Sequence, residues 1–299
     1  MQDQPAQAWL RSMPFVFVLI WSTGFIVARF GMPHAPPMGF LAWRYFFSIV
    51  CFGVWIQWTG VAWPKNWAQV KHLAITGVLM HGGYLGGVWL AVKAGMGAGL
   101  SALVVGLQPV LTAVWLAYRG SWVGRAQWAG LALGLTGLLL VVWQKLQLTT
   151  EVSAWTLGLT VTALLCITTG TLYQKSHVAP CDVRTASAVQ LLAALALTLP
   201  LALLESEPMH WNPTLMGALA WSVLALTLGA SSLLYMMIQR GAAASVTSLM
   251  YLVPPSTAFL AWLLFDEPVT GMTVLGTVCT VLGVMWVIKY PATTPANRN

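Results

Sequence analysis

The few charged residues of this chain divide it into long apolar stretches. Between Lys93 and Arg119, and again between Arg240 and Asp266, 25 consecutive residues carry no formal charge. A helix that crosses the hydrocarbon core of a bilayer needs about 20 such residues. Of the 299 residues, 58% are hydrophobic and 7% are charged, against about 25% charged in soluble domains. The sequence therefore predicts an integral membrane protein and excludes a water-soluble globule.

Charges, prolines and polar turns separate ten apolar runs, so we predict an all-α integral membrane fold with ten transmembrane helices. The run after Arg11 lacks a small-x-small cleavage site, which favours a retained first helix over a signal peptide. The polar tail after residue 290 is predicted to be disordered. The predicted spans are 12–29, 38–58, 72–92, 95–118, 125–144, 153–174, 185–204, 212–237, 241–264 and 269–289.

Basic residues are distributed unequally between the two sides of the predicted membrane. The side that holds the N-terminus collects ten Lys and Arg, the opposite side has three, and Arg44 lies inside the second span. Since Lys and Arg are retained on the cytoplasmic side, both termini are predicted to be cytoplasmic. The net charge of +7 then reflects orientation in the membrane and not nucleic-acid binding.

The second half of the chain repeats the first at a constant shift of 146 residues. Matching positions include Ser22-Thr23-Gly24 with Thr168-Thr169-Gly170, Ala98 with Ala244, Pro109 with Pro255, Gly130 with Gly276 and Gly137 with Gly283. Each half has five predicted spans, an odd number, so the second half must enter the membrane the opposite way round. We predict a five-plus-five inverted repeat, with residues 1–148 and 149–299 as its halves and a substrate site between them near the midplane.

These features resemble the drug/metabolite transporter superfamily, EamA branch. The resemblance rests on the five-plus-five duplication, the WSTGF segment at residues 21–25, and small-residue fourth and ninth helices with a central proline. Within that branch, the Trp-rich composition and HGGYLGGVWLA at residues 81–91 resemble the YddG-type exporters of aromatic amino acids. The acid that often ends the fourth helix in the superfamily is absent, since Arg119-Gly120-Ser121 stands there, whereas the ninth helix keeps Asp266-Glu267.

The resemblance implies an inner-membrane exporter of aromatic and other neutral amino acids and related metabolites, which works by alternating access through a central cavity. The alternative within transporters is an exporter of lipophilic cations such as methyl viologen, or of other small metabolites. A cation would favour a buried carboxylate, and no Asp or Glu lies deep in any predicted span. A channel would need a filter loop or rings of like charge, and the sequence shows neither feature.

No enzyme, cofactor or metal site is predicted. The five histidines show no ligand spacing, and the four cysteines, Cys51, Cys166, Cys181 and Cys279, form no CxxC motif. The expected partners are a small-molecule substrate and the lipid bilayer, without nucleic acid or an obligate protein partner. Because His81 is the only deep residue that titrates near neutral pH, we expect facilitated or exchange transport, or coupling through His81 at most.

Polar residues inside predicted spans are the candidates for the substrate site, because in hydrocarbon they need a partner or a watery cavity. His81 and Tyr84 share a helix face, and the nearby Gly82, Gly83, Gly86 and Gly87 either admit another backbone or leave room for a flat ring. Trp21 lies mid-span, where it either stacks on an aromatic substrate or packs in the core. The other candidates are Thr23, Ser101, Gln108, Thr169, Tyr173, Ser231, Tyr235 and Ser248, with Thr162, Cys166 and Thr227 completing the polar stripes of the sixth and eighth spans. Hydroxyls in membrane helices also bond to their own carbonyls, so part of this set is structural.

Arg44 and its repeat partner Gln190 form the most asymmetric matching pair. A cation six residues into the second span either snorkels outward and pairs with an outer acid, or receives a substrate carboxylate through two parallel hydrogen bonds. Pro109, Pro254 and Pro255 are either hinges for alternating access or fixed kinks, because each frees backbone groups that a cavity or a neighbouring helix must satisfy.

Overall fold

The computed structural model describes residues 4–120, 124–148, 152–239 and 252–289, and the regular elements in these ranges are helices. The predicted disordered tail, Ser248 and the first half of the predicted ninth span lie outside them. Each predicted span overlaps at least one helix, and the fourth is divided between two. The helices are α1 (Gln4–Gly31), α2 (Pro37–Thr59), α3 (Trp67–Lys93), α4 (Ala98–Val105), α5 (Gln108–Tyr118), α6 (Arg125–Leu148), α7 (Ala154–His177), α8 (Val183–Leu204), α9 (residues 213–239), α10 (Val253–Phe265) and α11 (Gly271–Lys289).

Seven stretches of helix are long and apolar enough to cross a bilayer within the described ranges. Three shorter apolar helices, Val16–Gly31, Val253–Phe265 and Gly271–Gly283, accompany them. The seven are Pro37–Thr59, Trp67–Lys93, Ala98–Trp115, Arg125–Gln144, Ala154–His177, Val183–Leu204 and Pro213–Met236. Large apolar side chains on their outer faces, such as Leu139 and Leu282, are exposed, as expected of helices whose outer surface contacts lipid.

Local sequence signals set many of the helix starts. The side chains of Asn66, Ser153, Asp182 and Asn212 each accept a backbone N–H from the first turn of the helix that follows, which satisfies donors that a helix start leaves free. Proline occupies the first turn of α5 and of α10, where its missing N–H costs nothing. Pro109 and Pro254 therefore lie in first turns, Pro109 in that of α5 and Pro254 in that of α10.

The break between α4 and α5 faces the start of α10. Gly106 lies in this break, and a Cβ added to it would come within 2.8 Å of Cγ of Pro254. Only glycine allows the break to approach Pro254 this closely. The break in the fourth span is thus packed against α10 at this point, as helix breaks at membrane depth require a protein neighbour.

Two helices contain a π-helical segment at matching positions of the repeat. Residues Val78–Gly83 of α3 form one, and residues Ser222–Ser231 of α9 form the other. A shift of 146 residues carries 78–83 onto 224–229, which lies inside the second segment. A π-helical turn widens the helix and changes which side chains face a given neighbour.

The contacts between helices follow the same pattern in both halves of the chain. Helix α2 packs on α8, α4 on α10 and α6 on α11, and each of these pairs joins equivalent elements. The contact between α1 and α9 has its counterpart in the contact between α7 and α3. The architecture therefore has an approximate two-fold relationship between the halves.

Helices α6 and α11 cross in an antiparallel direction through small residues. A Cβ at Gly137 would contact the Gly276 carbonyl, and one at Gly283 would contact the Gly130 carbonyl. Between these contacts, Thr280 Oγ1 lies 3.3 Å from the carbonyl oxygen of Gly134, the residue 146 positions earlier. Along this crossing, the residue numbers of α11 decrease as those of α6 increase. These two equivalent helices therefore run in opposite directions.

Candidate functional site

A cavity lies between the two halves, bounded by α1, α2 and α3 on one side and by α7, α8 and α9 on the other. With its mouth it contains about 810 Å³ of empty space, a volume that includes open solvent. Its lining is largely apolar with a few polar groups. The lining residues are Trp21, Gly24, Phe25, Arg44, Met80, His81, Tyr84, Leu85, Val88, Trp89, Ile167, Gln174, Ser187, Gln190, Leu226, Ser231, Leu234 and Tyr235.

Arg44 carries the only formal charge among these described lining residues. Arg44 is 5% exposed. Its Nε–H donates a hydrogen bond of 3.0 Å to Thr227 Oγ1 on α9. The guanidinium does not snorkel, and within the described part of the chain it forms no ion pair. That first alternative for Arg44 is therefore wrong, since the structure turns its side chain into the cavity.

The acids at the end of the bundle near the start of α2 have other partners. Glu205, after α8, accepts the backbone N–H groups of Met38 and Gly39 at 3.0 and 2.8 Å. Glu207 pairs with Lys93 at 2.5 Å, and Glu267 accepts the backbone N–H of Ala98 at 2.8 Å. In each contact a carboxylate of the second half holds the first half, so cross-half polar bonds connect the two halves at this end.

The π-helical segments contribute two polar residues, His81 and Ser231, to the cavity wall. In α3, the carbonyl oxygen of His81 accepts a 2.7 Å hydrogen bond from Tyr45 Oη. In α9, Thr227 Oγ1 donates to the Ser222 carbonyl at 2.8 Å and Ser231 Oγ to the Leu226 carbonyl at 3.1 Å, both five residues back. These hydroxyls satisfy carbonyls that the wider helical turn displaces. The same segments therefore place His81 beside the cavity and Thr227 beside Arg44.

Aromatic side chains form much of the apolar wall. Trp21 lies 5.1 Å from Phe17, measured between ring centroids, and Trp89 stacks on Phe40 at 4.3 Å. Because packed rings behind them fix Trp21 and Trp89, the two indoles present rigid surfaces to the cavity. Such surfaces suit an apolar or aromatic group.

Several candidates from the sequence lie outside the cavity wall. Thr23 Oγ1 donates to the Ile20 carbonyl and accepts from Trp221 Nε1 at 2.8 Å, and buried Ser101 donates to the Gly97 carbonyl. Gln108 donates to Thr171 Oγ1 at 3.1 Å. These three polar groups bind within or between helices, so the structure gives them packing roles.

The polar stripe predicted for the sixth span also lies off the cavity. Thr169 is exposed, and Tyr173 Oη lies 2.7 Å from His72 Nδ1 near the far end of the bundle. From α7 the cavity instead receives Ile167 and Gln174. Trp21, His81, Tyr84, Ser231, Tyr235 and Arg44 do line the cavity, and Ser248 lies outside the described residues.

The glycines around His81 serve helix packing. A Cβ at Gly83 would come within 2.6 Å of Cys166 Sγ, and one at Gly87 within 2.7 Å of the Leu159 carbonyl oxygen. For Gly83 and Gly87 the structure therefore favours the first of the two alternatives: they let α3 approach α7.

Gln174, Ser187 and Gln190 are cavity residues that the sequence interpretation did not select. Gln190 was the repeat partner of Arg44, and that correspondence was the signal that could have found it. Within the described residues, no group of three His, Cys, Asp and Glu side chains is arranged to hold a metal ion.

The described helices form two equivalent halves around a central cavity, an arrangement that suits a membrane transporter. The sequence profile of the EamA-like transporter family matches residues 12–143 and again residues 154–289. The chain therefore belongs to the EamA-like transporter family, within the drug/metabolite transporter superfamily, and is a multi-pass membrane transporter.

Similar proteins carry few functional descriptions. The chain is 25% identical over 278 residues to an uncharacterized transporter of Archaeoglobus fulgidus, covering 89% of this chain and 93% of that protein. It is 22% identical over 221 residues to the uncharacterized inner membrane transporter YedA of Escherichia coli K12, covering 71% and 68%. A segment of 131 residues is 30% identical to a "probable amino-acid metabolite efflux pump" of Salmonella typhimurium, covering 44% and 42%. A similar fold is found in a crystal structure with a TM-score of 0.67 and 19% sequence identity. The match covers 92% of this chain and 95% of the other chain, which supports the fold.

Proposed function

We propose that this transporter exports aromatic and other neutral amino acids and related metabolites across the bacterial inner membrane by alternating access. The observation that carries the proposal is the central cavity, which joins rigid indole surfaces to a small set of polar groups. A large apolar side chain fits the indole surfaces, and a zwitterionic head group fits the polar groups. The name of the Salmonella typhimurium relative agrees with export of amino-acid metabolites.

The proposed architecture is ten transmembrane helices in two inverted five-helix halves, residues 1–148 and 149–299. The antiparallel packing of α6 on α11 and the preserved pairing pattern support it. In transporters built from inverted repeats, the substrate site lies between the repeats and the repeats rock about it. Both termini are proposed to be cytoplasmic, because most Lys and Arg lie on that side.

In this orientation the carboxylate contacts of Glu205, Glu207 and Glu267 lie at the outer face. We infer from these contacts that the cavity is closed to the outside, as in the inward-facing state of the proposed cycle. A substrate would enter from the cytoplasm, and export would require these cross-half contacts to break.

The alternative of a lipophilic-cation exporter finds less support. The cavity contains the Arg44 guanidinium, and its described lining residues include no Asp or Glu. Arg44 would repel a dication such as methyl viologen, and that repulsion is strong where water is scarce.

Counterflow into proteoliposomes tests the proposal directly. Vesicles with purified protein are loaded with unlabelled Phe, Trp, Thr or methyl viologen and exposed to the labelled compound, with protein-free vesicles as the control. We expect exchange of Phe and Trp, weaker exchange of Thr, and none of methyl viologen. Exchange of methyl viologen alone would establish the cation alternative, and no exchange of any amino acid would overturn the proposal.

A further inference from the structure

Arg44 and Gln190 occupy equivalent positions of the two halves, 146 residues apart. They lie on α2 and α8, which pack directly against each other. Both residues are 5% exposed and both line the cavity. Both halves thus contribute a buried hydrogen-bond donor to the wall of the same cavity.

The donors of this pair exceed the acceptors that the described chain offers them. A guanidinium has five N–H donors, and Nε–H of Arg44 uses Thr227 Oγ1. The amide nitrogen of Gln190, Nε2, is buried without a hydrogen-bond partner among the described residues. A buried donor without a partner is unfavourable, and a buried charge without a counterion is more so. An anionic acceptor on a ligand would accept a hydrogen bond from the Gln190 amide and neutralise the charge of Arg44.

The chemistry of the pair selects a carboxylate. A planar guanidinium and a carboxylate match through two parallel hydrogen bonds, and one negative charge neutralises the single positive charge of Arg44. The amide of Gln190 adds a further donor. For the substrate's ammonium, by contrast, the described lining residues provide no acid.

We infer that the cavity recognises its substrate through the carboxylate, held by Arg44 and Gln190, and that the amino group is not required. Aromatic 2-oxo acids and 2-hydroxy acids are then substrates alongside the amino acids. This inference rests on the proposed function. The aromatic ring of such a substrate would lie against the wall formed by Trp21, Phe25 and Trp89.

Competition in the counterflow assay tests which group is recognised. Unlabelled phenylpyruvate, phenylalaninamide and phenethylamine compete with labelled Phe in proteoliposomes of the wild-type protein. We expect phenylpyruvate to inhibit about as well as Phe, and the amide and the amine about tenfold or more weakly, because they lack the charged acceptor. Inhibition by phenethylamine as strong as that by Phe would overturn the inference.

Substitutions at the two positions separate this role from a structural one. Arg44→Gln removes the charge and should weaken phenylpyruvate binding about tenfold or more. Because Arg44→Gln leaves Thr227 without its donor and can fail to fold, Gln190→Glu is the second variant. It places a carboxylate in the wall of the cavity that holds Arg44, which should compete with the carboxylate of Phe for the guanidinium, while the monodisperse peak and melting temperature are retained. A folded Gln190→Glu protein with unchanged phenylpyruvate affinity would contradict the inference.

Direct binding distinguishes failure of the inference from failure of the proposed function. The thermal shift of the detergent-solubilised protein with phenylpyruvate requires no transport. Stabilisation by phenylpyruvate but not by phenethylamine, lost in Gln190→Glu, supports the carboxylate subsite even if no amino acid is exchanged. The absence of stabilisation by both phenylpyruvate and Phe in the wild-type protein would overturn it.

Discussion

Arg44 illustrates what a single residue in a membrane sequence can and cannot indicate. Its position inside an apolar span made it a candidate, because a charge there needs a reason. The sequence left open whether its side chain points to the membrane surface or to the interior. That direction depends on Thr227, 183 positions away, and on the packing of α2 between its neighbours. Trp21, His81 and Tyr84 were recognisable for the same reason, since their residue types are uncommon at mid-span.

His81 is the residue through which we expect any proton coupling to act. It lines the cavity from the π-helical segment of α3, and the described lining contains no carboxylate that could carry a proton instead. His81→Ala should preserve counterflow of Phe but abolish any acceleration by a pH gradient. The measurement is uptake into proteoliposomes with and without an imposed gradient. Uphill transport driven by a pH gradient and undiminished in the variant would contradict this expectation.

At the level of helices, the rotation of α7 about its own axis was the part that the sequence did not determine. The stripe of Thr162, Cys166, Thr169 and Tyr173 is continuous, yet Ile167 and Gln174 face the cavity. The rotation follows from packing, because Gly87 of α3 admits the Leu159 carbonyl and the side chain of Ala163. Sequence periodicity finds the faces of a helix, but it cannot decide which face meets which neighbour.

The hydroxyl of Tyr45 should stabilise the π-helical segment of α3. It donates to the His81 carbonyl, and Tyr45 is fully buried, so Tyr45→Phe leaves that carbonyl without this donor. We expect a loss of about 1–3 kcal/mol in the free energy of unfolding and a lower affinity for substrate. The matched control is Tyr118→Phe at the end of α5, where the residue is 83% exposed. Equal thermal stability of the two variants in detergent would disprove the role of Tyr45.

For the whole molecule, two simple features of the sequence predicted most of the architecture. The spacing of charges located the helices, and the 146-residue shift paired them as equivalents. Neither feature reveals the break at Gly106 or the π-helical segments, because both depend on backbone groups that other helices satisfy. The cavity belongs to the same level, since it forms only where six helices from both halves meet.

The crossing of α6 and α11 should tolerate no added atom at Gly137. A Cβ there would contact the Gly276 carbonyl and come within 2.6 Å of Thr280 Oγ1, so Gly137→Ala forces the helices apart. We expect destabilisation of about 1–3 kcal/mol, seen as a lower melting temperature. Gly158→Ala in α7 is the control, because nothing lies within 4 Å of its added Cβ and alanine favours helix. Destabilisation of both variants by the same amount would refute the close crossing.

The glutamates at the end of the bundle near the start of α2, which we propose is the outer end, should control how often the cavity opens there. Glu267 is 7% exposed and holds Ala98 of the opposite half, so Glu267→Gln weakens a charge-assisted contact. In a cysteine-free background with Ser231→Cys, we expect about tenfold faster labelling by a membrane-impermeant maleimide from outside, as a loss of about 1.4 kcal/mol would give.

Asp266→Asn is the matched control for this variant. It removes the charge next to Glu267. Asn tolerates the left-handed backbone of residue 266, whose φ is 51°, because its short polar side chain can form local hydrogen bonds. Its labelling rate should stay at the parent value. Equal acceleration in both variants would show that the effect is one of surface charge and not of the contact with Ala98.

The glycine-lined crossing of α6 and α11 has a practical consequence for spectroscopy. Main chains that touch without intervening side chains have little freedom to slide, so the distance between these helices should remain constant through the transport cycle. Spin labels at the outward-facing Leu139 and Leu282 would then provide an internal ruler. Changes measured from either label to α2 or α8 could be read as true displacements of the moving parts.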